Sequence, residues 1–314
     1  MPFLWIAILV IALLIIFPVL AGYIFSSIVL HPHRQPVVHT PQEYGMGYED
    51  VEFTSTDGLH LKGWFIPAEG VADRAIILTH PFPFNRHGFI ARNQGFPPLC
   101  TIDVDLLKTA QSLHQAGFPV LMFDFRNHGE SASGTTGIGL NEYQDVLGAL
   151  AYLARRPDLH NLQIGFTSFC MGANSTIIAL SKGAERVQNV KFLVAIQPVS
   201  PDVFVRQYLR AVYTPLSVFL ANIVDRIIQW RGGYALKAMS PLPFAKDLQV
   251  PTLYVQAPAD RWTTVADTQS FYDATPGEKE IWWIEGITRR FDTYNYVGDH
   301  PERIIAFAQK HFLP

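Results

Sequence analysis

The sequence predicts an α/β domain built on a mainly parallel β-sheet, and three observations carry that prediction. Continuous apolar runs recur at residues 75–78, 120–123, 164–166, 193–196, 253–255 and 281–284. Runs of this length suit strands buried on both faces. Helical stretches lie between most of them, which implies crossover connections and therefore parallel strands. Finally, over residues 162–180 the apolar spacing changes from strand-like to helical within a few positions, and Cys170 sits at the change.

Composition bounds the rest. With 314 residues, 49% of them hydrophobic, the chain has material for one large α/β domain. The net charge of -3 is small and no basic block interleaves with aromatics, so nucleic acid is excluded as a partner. Cys100 and Cys170 are too few for a disulfide framework, and no Cys/His cluster has zinc-ligand spacing. Neither metal nor cofactor is expected.

At the start, no charged side chain occurs between Phe3 and Leu30. Such a run as a helix is about 42 Å long, against roughly 30 Å of bilayer hydrocarbon. Residues 1–30 therefore read as a transmembrane anchor. Val19 and Ala21 fit a signal-peptidase site, but no Lys or Arg precedes the run and residues 23–30 stay apolar, which disfavours a cleaved signal. A single-pass membrane protein is expected, and the lone nearby Arg34 leans weakly toward a cytoplasmic domain.

Pro32, Pro36 and Pro41 make residues 31–43 a stiff linker, and the folded domain is expected over 44–314. Alternation around Val51 and Leu59, with Asp57-Gly58 between them, predicts an antiparallel hairpin at a sheet edge. Helices are predicted over 104–116, with Asp103 as N-cap and Gly117 as stop, and over 142–154, with Tyr143, Val146, Leu147 and Leu150 on the apolar face. Residues 203–230 form a longer amphipathic stretch, too rich in charge for a second span.

Cys170 lies in Ser168-Phe169-Cys170-Met171-Gly172. Small residues on either side of a nucleophile are what a sharp strand-to-helix turn requires, because a larger side chain would block the helix packed beneath it. A free cysteine is otherwise most often a buried small hydrophobe. This pattern resembles the nucleophile elbow of the α/β-hydrolase superfamily, with Cys in place of Ser, as in dienelactone-hydrolase-like members and polyester synthases. Residues 123–131, Phe-Asp-Phe-Arg-Asn-His-Gly-Glu-Ser, are similar to the loop after strand 4 of that family. Asp124, Arg126 and His128 would there brace loops near the site.

The resemblance covers about residues 48–314 and implies an α/β-hydrolase fold with a small helical cap near 201–240. It also assigns roles. Thr79-His80-Pro81-Phe82 stands where the family has its oxyanion loop. The N–H groups of Phe82 and Met171 are the implied oxyanion donors, and the helix starting at Met171 favours the thiolate of Cys170. Asp260, after the apolar run at 253–255, matches the triad acid. The match fails at the base. Where the family has Gly-x-x-His, this chain has Gly286-Ile287-Thr288-Arg289-Arg290. Arginine stays protonated and cannot accept a proton, so Asp260 is expected to pair with Arg289 or Arg290.

Three functions remain open at this point. One is hydrolysis of an ester, thioester or lactone through an acyl-Cys170 intermediate, with a small, lipophilic acyl substrate suggested by a nearby membrane and His300 as the candidate base. The second is a catalytically inactive binding or scaffold protein, a pseudoenzyme. An acyltransferase is the third.

Overall fold

The computed structural model describes residues 2–71, 73–94, 101–213 and 216–312. Its strands are β1 (Glu49–Thr54), β2 (His60–Ile66), β3 (Arg74–Thr79), β4 (Gly88–Phe89), β5 (Val104–Asp105), β6 (Val120–Phe123), β7 (Gln163–Phe169), β8 (Val190–Ile196), β9 (Thr252–Gln256) and β10 (Lys279–Trp283). The helices are α1 (Pro2–Leu30), α2 (Leu106–Gln115), α3 (Tyr143–Leu153), α4 (Met171–Lys182), α5 (Pro201–Tyr213), α6 (Ser217–Trp230), α7 (Leu242–Ala245), α8 (Val265–Ala274), α9 (Arg290–Asp299) and α10 (Glu302–Phe312).

Eight strands form the central sheet in the order β1-β2-β6-β3-β7-β8-β9-β10. The β1–β2 hairpin and the β2–β6 pair are antiparallel and every later pair is parallel, as the apolar runs imply. Side chains alternate across the sheet and feed two cores. Ile77, Leu121, Phe166 and Leu193 face the core shared with α3 and α4, whereas Ile76, Val120, Val194 and Leu253 face the one shared with α2, α9 and α10. This is the period-two geometry of strands with both faces covered.

The expected helices form with small shifts. The one predicted over 104–116 is α2, and its N-cap is Asp105, which accepts from Leu107 and Lys108 N–H, not Asp103. Asp103 accepts instead from Ala91 N–H. The amphipathic stretch over 203–230 becomes the α5–α6 pair, apart from residues 214 and 215, which lie outside the described residues. Cys100 lies outside them too.

One expectation is overturned. Among the described residues no helix is long and apolar enough to cross a membrane. The transmembrane anchor over 1–30, the single-pass placement and the membrane partner inferred from it are therefore corrected. The physical reason is visible at the C-terminal end of α1, where apolar residues serve the folded domain. Val29 and Leu30 are buried in the core with α6 residues Leu220, Val224 and Ile228. A Cβ on Gly22 would come within 2.8 Å of Ile227 Cδ1, so glycine permits that close approach. Arg231 donates to Ser26 Oγ at 2.7 Å and Ser27 Oγ at 2.6 Å. An apolar count along the sequence cannot separate such a packed end from a lipid-facing one.

Candidate active site

Strand β7 ends at Phe169, α4 begins at Met171, and Cys170 alone makes the turn, at φ 50° and ψ −110°. A non-glycine residue at positive φ costs of order 1–3 kcal/mol and is held only by its surroundings. Here the hold comes from both sides. Cys170 N–H donates to Ile196 O at 2.8 Å, and Asn174 N–H donates to Cys170 O at 2.9 Å. Gly172 lets α4 close on β3, since a Cβ there would lie 2.4 Å from Thr79 Oγ1. Cys170 carries a free thiol and is buried.

In front of Cys170 lies a cavity of about 100 Å³, almost wholly apolar. Phe82, Val199, Phe204, Tyr208 and Phe291 line it with Arg290, and α1 adds Phe25, Ile28 and Val29. Among the described residues neither Phe82 N–H nor Met171 N–H has a hydrogen-bond partner. These are the two donors expected for an oxyanion.

Of the two arginines at the usual histidine position, Arg290 enters the site and Arg289 does not. Arg290 is buried and donates from Nη1 to Asp260 Oδ2 at 2.8 Å. Its Nη2 donates to the carbonyl of Gln197, a residue at φ 48°. Arg289 is exposed and donates from Nε to Asp292 at 2.7 Å. Asp260 is further fixed by Trp262 N–H at 3.0 Å and Thr263 Oγ1 at 2.7 Å. Asp260, the residue expected at the acid position, is thus held by Arg290, Thr263 and Trp262 N–H.

Tyr294 is the residue the sequence reading missed. It lies four positions after Arg290 on α9, hence on the same helix face, and both interact with Cys170. Among the described residues its buried hydroxyl has no hydrogen-bond partner. Burial, opposed by the Arg290 charge and reinforced by Cys170, holds the phenol well above its ordinary range, so it stays protonated. For Arg290, burial opposes the charge, but Tyr294, Cys170 and Asp260 outweigh it and raise the pKa. The guanidinium is therefore a permanent cation beside the sulfur.

His300 stands apart. It is exposed as the C-cap of α9, with its ring 4.4 Å from that of Tyr296. The helix separates it from Arg290 by roughly 15 Å of axial rise. The loop after β6, residues 124–131, is a brace. Asp124 accepts from Arg86 N–H at 2.7 Å and from the Arg86 guanidinium, while Arg126 is clamped by Asp57 and Asp145. His80 accepts from Phe125 N–H through Nε2 and donates from Nδ1 to Pro81 O, and His128 donates from Nδ1 to Arg126 O. Burial pushes both imidazoles down to about 3, so they are neutral structural groups.

No family model matches the chain. Among curated proteins it is 26% identical over 245 residues to the uncharacterised protein YqkD of Bacillus subtilis, covering 76% of this chain and 79% of that one. It is 28% identical over 160 residues to the polyketide transferase claH of Penicillium crustosum, covering 48% and 44%. Among solved structures it is similar to the esterase Pf2001 of Pyrococcus furiosus, with TM-score 0.68, 22% identity, and coverage of 91% and 99%. The α/β hydrolase GrgF from a Penicillium species matches with TM-score 0.59, 17% identity, and coverage of 85% and 99%. Strand order, elbow and these likenesses lead to one conclusion: the chain has the α/β-hydrolase fold.

Proposed function

We propose that this protein is an acyl-transfer enzyme that hydrolyses or transfers the acyl group of an ester or thioester through a Cys170 thioester. The observation that carries the reading is the sulfur itself, raised on a strained turn into an apolar cavity with a guanidinium and a phenol as its polar neighbours. The Cys170 thiolate attacks the carbonyl carbon, and a C–S bond forms as the carbonyl π electrons move to oxygen. The oxyanion rests on the N–H groups of Phe82 and Met171. Collapse re-forms the carbonyl and expels the leaving group. Arg290 stabilises negative charge at sulfur, and the Tyr294 hydroxyl neighbours the same atom.

A guanidinium cannot take a proton from water. Release of the acyl group therefore favours an acceptor that is already ionised, such as a thiolate, and a thioester donor needs no protonation of its leaving group. The names of the two similar proteins, an esterase and a transferase, support testing both water and a thiol as acceptor. A noncatalytic binding role is the second reading, favoured by the buried Arg290–Asp260 ion pair in place of a base.

The test is intact-mass analysis of the full chain, because α1 lines the cavity. It is incubated with acetyl and longer acyl thioesters and p-nitrophenyl esters, beside Cys170→Ala. One acyl mass on wild type, absent from Cys170→Ala and discharged faster by added thiol than by water, is the expected result. Absence of any adduct across donors sinks the enzymatic reading and leaves the binding one.

A further inference from the structure

Arg290 and Phe291 also bound a second cavity, of about 240 Å³. Its other walls include Thr101, Asp260, Arg261, Thr288 and Arg289. Three arginines and one carboxylate thus line it, and that carboxylate is already committed to Arg290, Thr263 and Trp262 N–H. Asp292 engages Arg289 Nε from outside the lining. Arg261 has no ion-pair partner among the described residues. Arg290 Nε is buried and unpartnered as well. Guanidinium groups and threonine hydroxyls are the donors that recognise carboxylate and phosphate oxygens, and here they stand among apolar walls from Ile102, Ala211, Trp262 and Phe291.

We propose that this cavity is an anion subsite of the same active site, and that it holds a carboxylate or phosphate on the leaving group of the acyl donor. The inference rests on the acyl-transfer reading and adds a substrate class to it. The two cavities share Arg290 as a wall. The apolar one before Cys170 suits a short acyl group, and the basic one suits the charged remainder of the donor. Attack by Cys170 then releases an anionic thiolate or alkoxide beside fixed positive charge.

The experiment compares S-acetyl-3-mercaptopropionate with its neutral amide as acetyl donors to Cys170, followed by intact mass in low salt. Wild type is expected to react about ten-fold faster with the anionic donor, the effect of one charge-assisted contact. That ratio falls toward one in Arg261→Ala and in Arg261→Ala/Arg289→Ala, and shrinks as salt rises. A ratio near one in wild type, or a ratio unchanged in the double variant, overturns the proposal. Inorganic phosphate supplies the second arm. Slowing of the anionic donor alone supports a substrate subsite, whereas equal slowing of both donors marks a site for free anions and overturns the leaving-group assignment. If neither donor acylates Cys170, the acyl-transfer reading fails by itself, and phosphate titration calorimetry still judges the cavity. Binding weakened about ten-fold in the double variant supports the subsite, and no binding to wild type overturns it.

Discussion

Arg126 and Arg290 are both buried, and each is held by an aspartate, yet they are finished differently. Around Arg126 every guanidinium nitrogen has a carboxylate partner: Nε and Nη2 reach Asp145, while Nη1 and Nη2 reach Asp57. Around Arg290 only the two terminal nitrogens are engaged, Nε has no partner, and the remaining neighbours are a thiol, a phenol and two cavities. A saturated ion pair braces a loop. An incompletely saturated one keeps directional charge available for whatever enters, which is the role proposed for Arg290.

The largest expected effect breaks the brace. Asp145→Ala removes the wholly buried partner of Arg126 and is expected to cost about 3–5 kcal/mol in chemical denaturation, with acylation of the remaining folded molecules preserved. A loss below 1 kcal/mol would mean that Asp57 suffices and that the two arginine centres are not distinct in kind. The next effect sharpens the other side. Arg290→His places an imidazole between Cys170 and Asp260, and a working general base should speed discharge of acyl-Cys170 about 100-fold. Unchanged decay kinetics would show that the missing base does not limit turnover. The smallest effect concerns pH. His80 and His128 are neutral when folded, with pKa values near 3, and the unfolded chain takes up protons on them below the ordinary value of 6.5. Stability is therefore full above that value and falls as the pH drops from about 6.5 toward 3, by up to about 1.4 kcal/mol per pH unit for each histidine. Urea unfolding at successive pH values should show a shallower slope for His128→Asn; parallel slopes would argue against a neutral buried His128.

The sequence reveals the sheet because strands buried on both faces leave continuous apolar runs, and it reveals the elbow because the spacing changes at Cys170. It does not choose between Arg289 and Arg290. That choice depends on where α9 begins: with Arg289 as N-cap, the first inward-facing position is Arg290. Tyr294 follows at once from that boundary, four residues on, and is invisible without it. The same uncertainty of a residue or two separates Asp103 from the actual cap Asp105. The apolar N-terminus was harder still, because hydropathy records transfer from water but not the destination. Only the close contact of Gly22 with Ile227 and the bonds from Arg231 tell where the end of α1 goes.

That end of α1 has a consequence for assembly. Phe25, Ile28 and Val29 share the chamber before Cys170 with Arg290 and Phe291, so its walls come from opposite ends of the chain. During synthesis α1 emerges before α6 and α9, so the chamber cannot close until α9 has followed it. The chamber is therefore among the last features to close, and a nascent or truncated chain would carry the elbow cysteine with its shelter unfinished.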